Sequence, residues 1–381
     1  MSNKKLRVAV VGLNFGASFP VMYKEHPDVE YVGICDIDKA VMDAFGDEHG
    51  VTRRHTGYDE MIRSGEYEAV HINTPIPLHA EMTVAALEAG LHCACAVPMA
   101  TSMDEIKKII AAARKSGKKY MMMETAAYTY QCLEARRMAD EGEFGRIQFL
   151  RGCHYQDMEN WPGYWRGLPP MHYSTHALAP LMAVADTRAV KVHCLGSGWM
   201  REELVKNYNN PFPIETAIFS MEQPGLAAEV TRTLFGVPRK LHEGFNIYGE
   251  KAALEWHLGH ERLIKFTIAA DQIPPGRWGR RMDFQRVDSR TFAERLPEKL
   301  RHYTDIHIIP DTSNPPMTIE LGGMHHGSHP HLVHEFVRCI AEDRPSFINE
   351  VRAADITAAG LCAHISAMEN GAAVEIPDFR L

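Results

Sequence analysis

"LRVAVVGLNFGAS" occupies residues 6–18. Leu6 to Val11 is apolar apart from Arg7, the pattern of a strand buried on both faces of a parallel sheet. The run stops at Gly12 and gives way to a helical stretch reaching about His26. Strand, tight turn and helix open a dinucleotide-binding unit, whose fingerprint is G-x-G-x-x-G. Here the three positions are Gly12, Asn14 and Ala17, with Gly16 adjacent. Asn tolerates left-handed backbone angles better than most residues, and Ala is small enough for close helix packing.

Outward from this turn the same rhythm repeats. "EYVGICDID" (30–38) is a second strand pattern carrying Asp36 near its end, with Asp38 equally suited to capping the next helix. A carboxylate at that place accepts hydrogen bonds from the adenosine ribose and repels a 2′-phosphate, which favours NAD over NADP. "YEAVHINTP" (67–75), "LHCACAVP" (91–98) and "KYMMME" (119–124) read as strands. "LHAEMTVAALEAG" (78–90) and "SMDEIKKIIAAARKSG" (102–117) read as helices. Repeated βα units of this length predict a doubly wound parallel sheet, with ligands at the carboxyl ends of its strands. The expected cofactor-binding residues are therefore Gly12, Asn14, Phe15, Gly16, Asp36, Thr74, Pro75, His79, Pro98 and Glu124.

Composition narrows the class. The net charge of −8 offers no basic stripe for nucleic acid. "GRWGRR" (276–281), the densest arginine cluster, reads as a solvated loop. No apolar run is long enough to span a membrane, and the apolar part of "MSNKKLRVAVVGL" is too short for a signal peptide. The eight cysteines are scattered without a disulfide pattern, so a cytoplasmic protein is expected.

Beyond residue 125 the rhythm changes. "RIQFLRGCH" (146–154), "AIFSME" (217–222), "AAEVTRTLF" (227–235) and "GFNIYG" (244–249) read as strands without intervening helices, and 265–325 reads as irregular. "HPHLVHEFVRCIAE" (329–342) and "AADITAAGLCAHISAMENG" (353–371) read as helices. Taken in order, "VGLNFGAS", "CDID", "INTPIPLHAEMTVAALEAGLHC", "AVPMATSMDEI", "GRIQFLRGCH", "FNIYGEKAALEW" and "HEFVRCIAEDRPSFINEVRAADITAAG" resemble the Gfo/Idh/MocA family of NAD(P)-dependent sugar oxidoreductases. The resemblance implies a Rossmann domain (1–125) and an α/β domain (126–381). The second domain's large open, mostly antiparallel sheet would support the substrate and a homo-oligomer, dimer or tetramer. It also implies NAD and a small-molecule sugar or glycoside substrate. Two departures stand out. The family's Glu-Lys-Pro after the fifth strand is Ala96-Val97-Pro98 here, and Val97 cannot handle a proton. Ile76 stands where many relatives have Asn.

"PPMHYSTHALAPL" (169–181) places His172 and His176 one helical turn apart. The resemblance puts them on the family's acid/base segment, so His176 is the expected acid/base and His172 its partner or a substrate anchor. Histidine titrates near neutrality and suits the proton that accompanies oxidation of a carbinol. A metal would need a third ligand, for which "MHHGSHPH" (324–331) offers histidines; the proton-transfer reading is preferred and no metal is expected. "HYQDMENWPGYWRGLPP" (154–170) interleaves aromatic and polar groups, as a sugar requires. Expected substrate-binding residues are Tyr128, Tyr155, Gln156, Trp161, Trp165, Arg166, His325 and His326. The expected chemistry is NAD-dependent oxidation of a ring hydroxyl, with C3 favoured. The alternative is a redox-neutral glycosidase that oxidises, eliminates, hydrates and re-reduces.

Overall fold

The computed structural model describes residues 5–239, 241–256, 262–270, 276, 278–288, 290–310 and 318–380. Six strands form the first sheet: β1 (Leu6–Val11), β2 (Val29–Cys35), β3 (Arg53–His55), β4 (Ala69–Ile72), β5 (His92–Cys95) and β6 (Tyr120–Met122). Their order is β3-β2-β1-β4-β5-β6 and every pairing is parallel. This is the doubly wound arrangement expected from the sequence, with its topological switch between β1 and β4. Helices α1 (Ser18–Glu25), α2 (Lys39–His49), α3 (Tyr58–Arg63), α4 (His79–Glu88) and α5 (Met103–Ser116) fill the crossovers. Ser102 caps α5 by accepting from the Glu105 amide, and Gly117 closes it in the left-handed conformation.

Helix α6 (Tyr130–Asp140) leads into β7 (Ile147–Tyr155), followed by α7 (Thr175–Ala185), β8 (Ala189–Ser197), α8 (Glu202–Tyr208), β9 (Ile214–Met221), β10 (Ala227–Thr233), β11 (His242–Gly249) and β12 (Ala252–Trp256). The stretch read as irregular contains two more strands of the same sheet, β13 (Leu263–Ile268) and β14 (Met282–Val287), and a separate hairpin, β15 (Ile306–Pro310) with β16 (Thr318–Gly322). Asp283, Gln285 and Arg286 hid the strand character of β14, because it is an exposed edge that needs no apolar face. Parts of that stretch, 271–275, 277, 289 and 311–317, lie outside the described residues. Helices α9 (Gly323–Ala341) and α10 (Glu350–Met368) and the short β17 (Val374–Glu375) complete the chain.

The second sheet has nine strands in the order β14-β13-β12-β11-β7-β10-β9-β8-β17. Only β7 and β10 pair in parallel; the rest are antiparallel. Helix α7 lies across β7 at Gly152, where any Cβ would stand 2.2 Å from the Ala177 carbonyl oxygen. Helices α9 and α10 pack back on α1, α5 and β6, joining the two sheets through one large apolar core. A smaller cluster stands apart from it: Ile76, Met158, Trp165, Leu168, Met200, Leu204, Leu234 and Phe235.

Candidate active site

At the switch point β1 ends on Gly12 with φ +84°, a left-handed angle, and a Cβ there would meet the Asn73 carbonyl oxygen at 2.7 Å. Glycine alone fits, so this one fingerprint position is obligatory. The gap between the strand ends is a cleft of about 750 Å³ lined by Gly12, Asn14, Asp36, Ile37, Thr74 and Pro75, among others. Asp36 accepts from the Leu13 amide (2.8 Å) and the Asp38 amide (2.9 Å), while Asp38 takes the capping role through the amides of Ala40 and Val41. The carboxylate of Asp36 thus lines the cleft, at the point where a ribose is recognised. Gly16 faces away from the cleft, against the Asn73 side chain. The cradle fits a dinucleotide. Replacing Asp36 with Ser is expected to cost NAD affinity about 1.5–3 kcal/mol, roughly 10–150-fold in Kd, with NADP losing less. Fluorescence titration of NADH and NADPH reads the ratio; an unchanged ratio removes Asp36 from cofactor choice.

His79 is buried between two carbonyls, Pro98 on Nδ1 (2.8 Å) and Thr74 on Nε2 (2.9 Å). Donating to both requires a proton on each nitrogen. Burial opposes that charge, but Cys95 and the two carbonyls outweigh it and lift the pKa to about 9. His79 ties the turns after β4 and β5 together. Pro98 contributes its carbonyl to this tie and does not line either cavity.

Asn73 and Thr74 are shared between the nucleotide cleft and a second cavity of about 210 Å³. Phe15, His79 and Val97 line it from the Rossmann side, and His154, Gln156, Trp161, Trp165, Tyr173, His176, Glu243 and His325 from the second sheet and its loops. The face is mainly apolar with a few convergent polar groups, the character of a small-molecule site.

On one wall Glu124, fully buried, accepts from the Ala126 amide (2.9 Å) and from Nδ1 of His176 (2.5 Å). That bond orients the imidazole so that Nε2 faces the cavity, 3.2 Å from the Tyr173 hydroxyl. Burial disfavours the imidazolium, yet Glu124 and then Glu243 reverse the balance, and the His176 pKa lies above its ordinary value. Close to His176, Glu243 stands 3.5 Å from Nε2 of His154 and 3.8 Å from Nδ1 of His325. Burial pushes the Glu243 pKa up, but His325, His176 and His326 with Arg232 bring it below the usual carboxylate value. His154 is held well below the normal histidine range by burial and by Arg232. Arg232, wholly buried, donates to the carbonyls of Tyr173 (3.0 Å), His154 (3.1 Å) and Thr233 (2.6 Å) and to Oε1 of Gln156 (2.8 Å). It pins β7, β10 and the Tyr173 segment around the cavity, and burial draws its pKa down to about 9.

The structure separates the histidine pair. Pro170–Tyr173 is a 3-10 turn, and α7 begins only at Thr175, so His172 and His176 do not share a helical face. His172 packs edge-on against His364 (5.0 Å between rings), which is bound to Glu215, and burial lowers its pKa to about 3. Tyr173 takes the place beside His176. Glu124, expected as a cofactor ligand, is instead the support of His176. Tyr128 is core, set against Phe347, and His326 packs on Trp256 and Tyr130; neither lines the cavity. Tyr155 pairs within the sheet, and Arg166 lies outside the cavity, with Glu159 bound to Arg201. His325 reaches the cavity from a left-handed backbone, φ +58°. Sequence reading missed His154, Tyr173, Arg232 and Glu243 as site residues.

A parallel sheet in 3-2-1-4-5-6 order with a glycine turn at the switch point is the dinucleotide-binding Rossmann arrangement. Residues 6–124 match the Gfo/Idh/MocA family model, described as "Oxidoreductase family, NAD-binding Rossmann fold". A Glycosyl hydrolase family 109 protein of Saccharopolyspora erythraea is 25% identical over 207 residues, 49% of this chain and 45% of that protein. The aligned segment therefore spans less than half of that relative. Over nearly the whole chain the fold is similar to an oxidoreductase domain protein from Kribbella flavida (TM-score 0.78, 19% identity, 98% of this chain and 100% of that one). It is also similar to a levoglucosan dehydrogenase solved with NADH (TM-score 0.76, 20% identity, 99% and 100%).

Proposed function

We propose that the protein is an NAD-dependent oxidoreductase of a sugar or glycoside, acting at a ring carbinol carbon with His176 as the acid/base. The supporting observation is the Glu124–His176–Tyr173 chain facing a cavity that shares Asn73 and Thr74 with the nucleotide cleft. NAD, when bound, takes up the hydride. Nε2 of His176 meets the hydroxyl proton, and Glu124 stabilises the imidazolium that results. Tyr173 adds a hydroxyl beside that nitrogen, and Trp161 and Trp165 offer faces for the C–H surface of the ring. Together these groups replace the lysine lost at Val97.

A second reading is redox-neutral glycoside hydrolysis, favoured by the glycosyl hydrolase names of the curated relatives. C3 is the favoured position, and in the second reading a ketone there acidifies the C2 proton that elimination must remove. Glycosides incubated with and without added NAD separate the two. Stoichiometric NADH supports the dehydrogenase, and aglycone release without net NADH supports the glycosidase. Neither, across a broad panel, overturns both. A homo-oligomer is part of the proposal, supported by Leu195 and Ile218 standing exposed on the sheet face away from α7 and α10. No helix among the described residues is long and apolar enough to cross a membrane.

A further inference from the structure

Beside His176 lie groups that a single proton transfer leaves idle. His154 is 1% exposed, and among the described residues neither of its ring nitrogens makes a hydrogen bond. Oε2 of Glu243, also buried, makes none. Each such buried polar group costs roughly 1–3 kcal/mol when left unsatisfied. One ligand atom each from His154, His176 and Glu243 lie within 4.8 Å of one another.

Two imidazoles and one carboxylate are a ligand set that holds zinc with a fourth position open. The surroundings match as well. Histidines that bind a metal through one nitrogen commonly donate the other N–H to a carboxylate, as His176 does to Glu124 (2.5 Å). Zinc–nitrogen bonds of about 2.0–2.1 Å set tetrahedral ligand atoms about 3.4 Å apart, so an inward side-chain shift of about 1 Å closes the cluster. The 3.2 Å contact between His176 and the Tyr173 hydroxyl gives way in that shift.

We propose that His154, His176 and Glu243 bind one divalent cation of the zinc type, its open position turned to the substrate cavity, and that capture switches the enzyme off. The cation takes the Nε2 lone pair that must receive the substrate proton, so chelation and catalysis exclude each other. Binding stands on the geometry alone; only the inhibitory consequence rests on the function proposed above.

The test uses the full chain, stripped with a chelator and titrated with Co²⁺. Wild type is expected to take up one Co²⁺ per chain with visible ligand-field absorption of tetrahedral strength, displaced by Zn²⁺. His154→Gln and Glu243→Gln are expected to lose that absorption while NADH fluorescence titration shows the nucleotide still binding. Glu124→Gln is expected to weaken the cation roughly 10–100-fold. One equivalent of Zn²⁺ should abolish turnover, and chelator should restore it. Wild-type protein that binds NADH but takes up no Co²⁺ overturns the site, whatever the variants do. Stripped protein that is inactive until Zn²⁺ is added overturns the inhibitory role and leaves the site standing. Binding as described with no turnover on any glycoside overturns the functional proposal alone.

Discussion

His176→Ala is expected to lower turnover by about 10²–10⁴-fold while the NAD dissociation constant stays within about twofold of wild type. The ring lines the cavity and is absent from the lining of the nucleotide cleft, although Asn73 and Thr74 belong to both. The pH profile gives a second readout. The His176 pKa is raised, so below it the ring is protonated and cannot accept; the rate of oxidation should climb as pH passes a value above 6.5. The alanine variant should lose that limb. Steady-state rates from pH 5 to 10 with parallel NADH titrations decide it, and wild-type turnover in the variant removes His176 from the mechanism.

Gly152→Ala is expected to reach the same site from outside it. The new methyl would stand 2.2 Å from the Ala177 carbonyl oxygen, backbone that cannot swing aside. Overpacking of this kind costs about 1–3 kcal/mol, and relief comes by lifting α7 from β7. Since α7 carries His176 and β7 carries His154, a shift of about 1 Å is enough to lose roughly 10²-fold in turnover. Urea titration measures the stability loss, and the kcat of the folded variant measures the displacement. A variant equal to wild type in both would mean that α7 does not set the catalytic geometry.

The Rossmann half was legible because each of its elements is local. A buried parallel strand is a continuous apolar run, and Gly12, Ser102 and Gly117 mark turns that only those residue types make well. The catalytic half was legible only in part. His176 was singled out through the family resemblance and does line the cavity, but pairing it with His172 assumed an unbroken helix through Ser174. Arg232 and Glu243 did leave a trace. Ala228, Val230 and Arg232, like Glu243, Phe245 and Ile247, share the inward period-2 face of their strands. A charge on a buried strand face is rare enough to mark a site. The contacts among His154, His176 and Glu243 span three separate elements, and no local pattern encodes them.

The minor apolar cluster has a practical reach. Met158, Trp165 and Leu168 come from the loop that presents Trp161 and Trp165 to the cavity, and they settle on α8 and the end of β10 instead of on the main core. The loop that lines the cavity thus has its own small anchor. If the proposed function holds, exchanging residues 156–170 together with 200–208 is expected to change which sugar is accepted and to leave the nucleotide cleft as it is.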